Sequence, residues 1–319
     1  MTFRLLSALG VAGVEEVLLM PDIGGISRRL LRTLQTPESA AWPRVTFFDM
    51  PIEDSAADTL LAVESMVDAG VGAIVVLGGD GTHRLVARAC GDTPLTALST
   101  GTNNAFPALR EATVAGLATG LVATGQVPID EVTLRNKALR VAVNGARDLA
   151  LVDVCVSTAL WTGSKALWRT DDLDQLFVAF AEADAVGLST VAGLLQPVSR
   201  REKGGLRLDL ALPGAAATTV TAPIAPGLLV PIGVAAVHQI QPDEVHAVRV
   251  PQGVLALDGE RELTFGHGDR VEVWLDANGP RTIEIDQVMA RAAAMGLMTD
   301  VGPPATRAAG ERSSTYATE

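Results

Sequence analysis

Residues 74 to 83 read I-V-V-L-G-G-D-G-T-H, an aliphatic run that ends in three glycines around one aspartate, Asp80. Glycine permits positive φ and lets a ligand approach the main chain closely. A helix starting just after such a loop offers free N–H groups and a dipole that favours anions. Asp80 alone would repel a phosphate there. Two chemistries resolve the conflict. The carboxylate can hold a divalent cation that carries phosphates. Or it can take the proton of an alcohol that attacks a γ-phosphate. The plain alternative is a tight turn with Asp80 as a helix cap. No Gly-Lys-Ser/Thr follows, so this is not a Walker loop, and the spacing is not GxGxxG.

A second loop, S-T-G-T-N-N-A-F-P from Ser99 to Pro107, follows the next apolar run, PLTAL. Leu77 and Leu98 end consecutive strands, and one short crossover helix fits between them. Both loops should open at the carboxyl edge of a parallel sheet, where open α/β sheets bind ligands. Gly78, Gly79, Asp80, Gly81, Thr82, Thr100, Gly101, Thr102, Asn103 and Asn104 would then surround one crevice. Thr82 is expected to cap the helix that carries His83, and His83 to sit at its solvated first turn. His238, His246 and His267 lack ligand spacing. Arg200, Arg201 and Lys203 read as a solvated loop, REKGGL being a hairpin tip. The alternative for them, and for Arg169, is a phosphate clamp. Lys165 and Trp168 share one helix face. Ser157 and Ser164 have no GxSxG context, which argues against a serine nucleophile.

The elements that must position these loops follow from periodicity. Residues 2 to 9 read as a short helix and 16 to 20 as a strand. Ile26, Leu30, Leu31 and Leu34 carry helical spacing. RVTFFDM is a strand, and DSAADTLLAVESMVDAG is an amphipathic helix capped by Asp54 or Ser55 and stopped by Gly70. Strands and helices alternate over residues 1–126, which predicts a Rossmann-like α/β domain with a parallel sheet covered on both faces. Residues 127–283 read as a β-rich domain of short antiparallel strands, a sandwich. Within it, a turn is expected at Asn136-Lys137, and residues 160 to 185 are expected to be helical. A final helix at 284–298 should pack on the first domain, and 302–319 should be a disordered tail.

The chain has 319 residues, of which 48% are hydrophobic and only 4% aromatic, so its cores are built from Ala, Val and Leu. A net charge of −12 disfavours general affinity for nucleic acid or anionic membranes. Cys90 and Cys155 form no CxxC or Cys/His cluster, which excludes a structural zinc site of that kind and suits buried thiols in a reducing cytoplasm. The start resembles a short signal peptide until Glu15 and Glu16 interrupt it. The uncharged stretch 210–237 contains Pro213, Pro223, Pro226 and Pro231, which would break a membrane helix, so it reads as buried strands.

GGDGT is the hallmark of a kinase superfamily that includes NAD kinases and the diacylglycerol and sphingosine kinases. GGDGTHRLV at 78–86 and GTNNAFP at 101–107 resemble it. VEEVLLMPDIGG, TGSKALW, TAPIAPGLLVPIG and VLALDGERELTF more closely resemble the acetoin catabolism protein X group of that superfamily, over residues 10 to 290. The resemblance implies an α/β nucleotide-binding domain, a β-rich domain and an active site between them. It implies ATP and Mg²⁺ as cofactors, Asp80 as the base or metal-organising residue, and Asn103 as a nucleotide ligand. LDGE at 257–260 would place Asp258 in the cleft; by itself Asp258-Gly259 is a hairpin turn. Superfamily members usually open with a strand and an NPxAG-like loop, and this sequence begins past that point, so its sheet should lack a strand. TAPIAPGL stands where NAD kinases carry a GSTAY-like segment. Val152-Asp153 stands where they carry Asn-Glu, which makes Asp153 the candidate acid. Three functions stay open: an ATP-dependent kinase of NAD or a related small molecule, a degenerate nucleotide-binding regulator, and a kinase of a polyol or lipid headgroup. A homo-oligomer is expected by analogy only.

Overall fold

A computed structural model of the chain describes residues 1–159 and 170–299. Its first part runs α1 (Thr2–Val11), β1 (Glu16–Leu19), α2 (Ile26–Thr33), β2 (Arg44–Phe47), α3 (Ala56–Asp68), β3 (Ile74–Gly78), α4 (Asp80–Ala89), β4 (Leu95–Ser99) and α5 (Ala112–Ala123). Ser55 caps α3, with Asp58 returning the bond in a capping box. β1 and β2 form a parallel pair of their own. β3 and β4 pair in parallel, with Gly78 opposite Ser99.

The second part runs β5 (Thr133–Arg135), β6 (Ala138–Val143), β7 (Ala146–Ala150), β8 (Asp153–Ser157), β9 (Leu173–Val178), α6 (Ser189–Leu195), β10 (Gly205–Ala211), β11 (Thr218–Ala225), β12 (Leu228–Ile240), β13 (His246–Ala247), β14 (Gly253–Leu257), β15 (Glu260–Phe265), β16 (Val271–Asp276), β17 (Arg281–Ile283) and α7 (Ile285–Ala294). Seven strands form a sheet in the order β11-β12-β10-β9-β8-β14-β15, and four form another in the order β13-β16-β6-β7. Their facing sides share one core built from Leu139, Val141, Val154, Val156, Phe177, Leu255, Val273 and Leu275. The other face of the larger sheet buries Leu176, Leu206, Leu208 and Ile224 beneath Val191 and Ala192 of α6. The molecule is therefore a parallel α/β unit followed by an antiparallel sandwich. The chain finally returns: β17 pairs with β4 in parallel and with β5 in antiparallel, in the order β3-β4-β17-β5. α7 then buries Val288 and Ala292 against Ala118, Leu121 and Val122.

Several expectations are corrected. Leu173–Val178, expected to be helical, is the strand β9 between β8 and β10. It is buried on both sides, and a run with two apolar faces carries no period that separates strand from helix. Residues 160–169, with Lys165, Trp168, Ser164 and Arg169, and the tail at 302–319 lie outside the described residues. Asn136-Lys137 does not turn one strand onto its partner, because β5 pairs with β17 whereas β6 pairs with β7 and β16. The hairpin turn is Asn144-Gly145, with φ of 51° and 89°, the signs of a type I′ turn. REKGGL links α6 to β10 rather than two paired strands. Stretch 210–237 forms β10 to β12, and no helix among the described residues is long and apolar enough to cross a membrane.

Candidate functional site

Both glycine loops leave the same edge of β3 and β4 and lock onto each other. A Cβ at Gly78 would stand 2.7 Å from Thr82 Cβ, and one at Gly79 2.7 Å from Asn104 Oδ1. A side chain at Gly78 would therefore collide with Thr82, and one at Gly79 would displace the Asn104 amide. α4 begins at Asp80 behind Gly79, so Thr82 lies in the first turn and is not the cap. The Asp80 amide donates to Asn104 Oδ1 at 3.3 Å, and Asn104 Nδ2 donates to Ser99 Oγ at 2.7 Å. The Asp80 carboxylate accepts from the Ala105 amide at 2.9 Å and the Phe106 amide at 2.8 Å. Burial pushes its carboxyl above the usual range, while those two amides and the charge of Arg200 oppose the shift.

A cleft of about 450 Å³ opens over these loops. Gly79, Asp80, Gly81, Thr82, Asn103 and Asn104 line one side. Asp153, Asp258, Glu260 and the segment 186–189 line the other. Gly78 sits behind the cleft as the last residue of β3, and Thr100, Gly101 and Thr102 are exposed outside its lining. Asp258 occupies the two-residue turn between β14 and β15 at φ 50°, followed by Gly259 at 81°. Its carboxylate accepts from the amides of Leu151 at 3.0 Å, Val152 at 2.7 Å and Asp153 at 3.2 Å. Burial, with the negative charge of Asp80, raises it to about 7. Asp153 opens β8, is 4% exposed, and its Oδ1 has no hydrogen-bond partner. Burial, then Asp258 and Asp80, push its carboxyl well above the usual range. Burial thus holds the carboxyls of Asp80, Asp153 and Asp258 all towards their protonated forms.

Among the described residues, no lysine or arginine lines the cleft. Free phosphates would meet carboxylates, amides and hydroxyls of that described lining. Among the described residues, no group of three His, Cys, Asp or Glu is arranged to hold a metal ion by itself. This donor set suits a magnesium ion that would arrive already bound to a nucleotide, with Asp80 offering hard oxygens. A larger cavity of about 500 Å³ separates β1 from β3, but it is mainly apolar, lined by Leu5, Leu9, Val17, Leu19 and Ile74. It lacks the convergent polar groups of the cleft.

Three residues around the site carried no local signature. His83, expected in solvent, is fully buried; its Nδ1 lies 2.8 Å from Gly79 O and its Nε2 has no partner. Burial holds it below the usual histidine range, so the neutral ring donates through Nδ1. Arg200, expected in a solvated loop, donates to the carbonyls of Ala105 and Phe106 behind the cleft. Arg201 and Lys203 are exposed as expected. Arg84, on α4, is buried and pairs with Glu262 at 2.6 Å and Asp148 at 3.3 Å. Only tertiary packing distinguishes these residues from ordinary surface polar groups.

Residues 137–278 match the acetoin catabolism protein X C-terminal domain, and residues 1–127 match the ATP-NAD kinase N-terminal domain. The acetoin catabolism protein X of Cupriavidus necator is 48% identical over 310 residues, covering 95% of this chain and 86% of that protein. Among solved structures, the yeast NADH kinase complexed with NADH superposes with a TM-score of 0.51 at 15% identity, over 99% of this chain and 85% of that one. That likeness establishes the NAD kinase fold. The chain belongs to the acetoin catabolism protein X family, within the NAD kinase-like superfamily.

Proposed function

We propose that the protein is an ATP-dependent phosphotransferase that phosphorylates a hydroxyl of NAD or a related small molecule, in a step linked to acetoin catabolism. The observation that carries this reading is the convergence of the GGDGT loop, the Asn103-Asn104 loop, Asp153 and Asp258 on one cleft, with no cationic side chain among its described lining residues. Gly79, Gly81 and Thr82, with Gly78 behind them, would seat the donor phosphates at the start of α4, while Asn103 and Asn104 orient the nucleotide. Each Asp80 oxygen accepts one amide and keeps a further lone pair. One of these lone pairs would take the proton of the acceptor hydroxyl. Asp258 and Asp153 stand across the cleft on the acceptor side. Asp153, whose carboxyl burial holds towards the protonated form, would donate a hydrogen bond to a phosphate. A bound magnesium ion would supply charge neutralisation on the phosphates.

A second reading is a nucleotide-binding protein without turnover. It is favoured by the engagement of both Asp80 oxygens with amides. Calorimetric titration with ATP tests what the two readings share. Because the described lining of the cleft has no cation, ATP should bind only in the presence of Mg²⁺. Equal affinity in EDTA would contradict this placement of the nucleotide.

A further inference from the structure

Ala105 and Phe106 are gripped from two sides. Their amides donate to Asp80, and their carbonyls accept from the two terminal nitrogens of Arg200, with Phe106 O at 2.8 Å. Asp80 comes from α4, whereas Arg200 comes from the α6–β10 loop of the β-rich part. The Arg200 guanidinium stacks 4.1 Å from the Phe180 ring centroid and 5.5 Å from that of Phe106, and it pairs with Glu182 at 3.5 Å. The loop that carries it is itself held, because the buried Lys137 donates from Nζ to Ser199 O at 3.1 Å and Gly204 O at 2.6 Å. A guanidinium presents a planar fork that meets two successive carbonyls at once, which an ammonium cannot copy.

Asn103 and Asn104, just before this dipeptide, line the cleft together with Ala105. Asn103 is exposed, and the stretch from Thr100 to Asn103 has no helix or strand to fix it. Its position depends on Asn104 and on whatever holds Ala105 and Phe106. We propose that Arg200 is a positioning residue that acts with Asp80 as a two-sided clamp on Ala105-Phe106, holding Asn103 and Asn104 ready for the nucleotide. The second domain thereby sets the geometry of a loop that belongs to the first. The identity of the ligand rests on the phosphotransferase reading; the clamp is a property of the free protein.

Amide hydrogen exchange tests the clamp directly. It would be measured at Ala105 and Phe106 in the full chain, in Arg200→Lys, Arg200→Met, Asp80→Asn and the double variant Asp80→Asn/Arg200→Lys. Both Arg200 variants should exchange about tenfold faster there, or more, with β9 and β10 unchanged. If the two side chains act as one device, the double variant should exchange no faster than the faster single variant. The affinity for MgATP should fall about tenfold in Arg200→Lys. If Arg200→Met does not fold, Arg200→Lys alone decides. Wild-type exchange at Ala105 and Phe106 in Arg200→Lys would overturn the proposal, as would strict additivity with Asp80→Asn. If exchange responds as expected but the wild-type protein does not bind MgATP, the clamp stands and the phosphotransferase reading falls.

Discussion

Asp80 has two duties that single substitutions can separate. Its carboxylate accepts from two backbone amides and also faces the cleft. Asp80→Asn keeps one acceptor oxygen, so unfolding free energy should fall by about 1–3 kcal/mol while turnover falls by about 10²–10⁴. Paired urea titrations and initial rates would show the split; equal losses in both would assign Asp80 to structure alone. Asp153 should behave in the opposite way. Its Oδ1 is buried without a partner, and its carboxyl is raised by burial and by Asp258 and Asp80. A carboxyl whose folded pKa is raised contributes stability that is fully present below the unfolded pKa and lost as pH rises through the folded one. Asp258, raised to about 7 from a reference of 3.8, has the same sign. Stability to urea should therefore decline between pH 4 and pH 8, and Asp153→Asn should flatten that decline and melt higher at pH 8 than the wild type. An unchanged pH slope in Asp153→Asn would show that the Asp153 carboxyl is not raised in the folded state.

The elements were legible where their signal is local. GGDGT and GTNN each follow an apolar strand, and β3 and β4 deliver both to one sheet edge as their spacing implies. The β-rich part was legible as a class but not in its pairing. LDQLFV reads equally as buried helix or buried strand, and Asn136-Lys137 offers polar residues at a place where the chain crosses between sheets. Asn144-Gly145 carries the stronger local turn chemistry, since both residues adopt positive φ. Gly79 shows how tightly two loops can constrain one another. Gly79→Ala would push a methyl to 2.7 Å from Asn104 Oδ1. The expected outcome is a loss of MgATP affinity of about tenfold or more, with thermal unfolding little changed, because the clash falls on the loops and not on a core. Wild-type affinity in this variant would show that the contact between the two loops does not position the ligand.

The whole molecule joins two architectures through shared apolar packing, with Phe106, Ala87 and Ala97 set against the sandwich core, and through buried charge. Arg84 on α4 reaches Asp148 on β7 and Glu262 on β15, and the return of β17 beside β4 closes the chain on itself. None of these long-range links could be read from the sequence, because each joins residues far apart in the chain whose local surroundings look like ordinary solvent-facing helix or strand. Arg84→Met would leave Glu262 unpaired and Asp148 with only Arg88 at 3.7 Å, and should cost about 3 kcal/mol, visible as a lower urea midpoint. No loss would mean that water already satisfies those carboxylates. The account as a whole depends on the cleft between the two parts being a place of phosphoryl transfer, and ³¹P NMR of the protein with ATP, Mg²⁺ and NAD tests this most directly. It predicts loss of the ATP γ-phosphate signal and growth of a phosphomonoester signal from NADP, both absent in Asp80→Asn; ATP left unchanged with NAD and with every hydroxyl compound of a metabolite extract would contradict it.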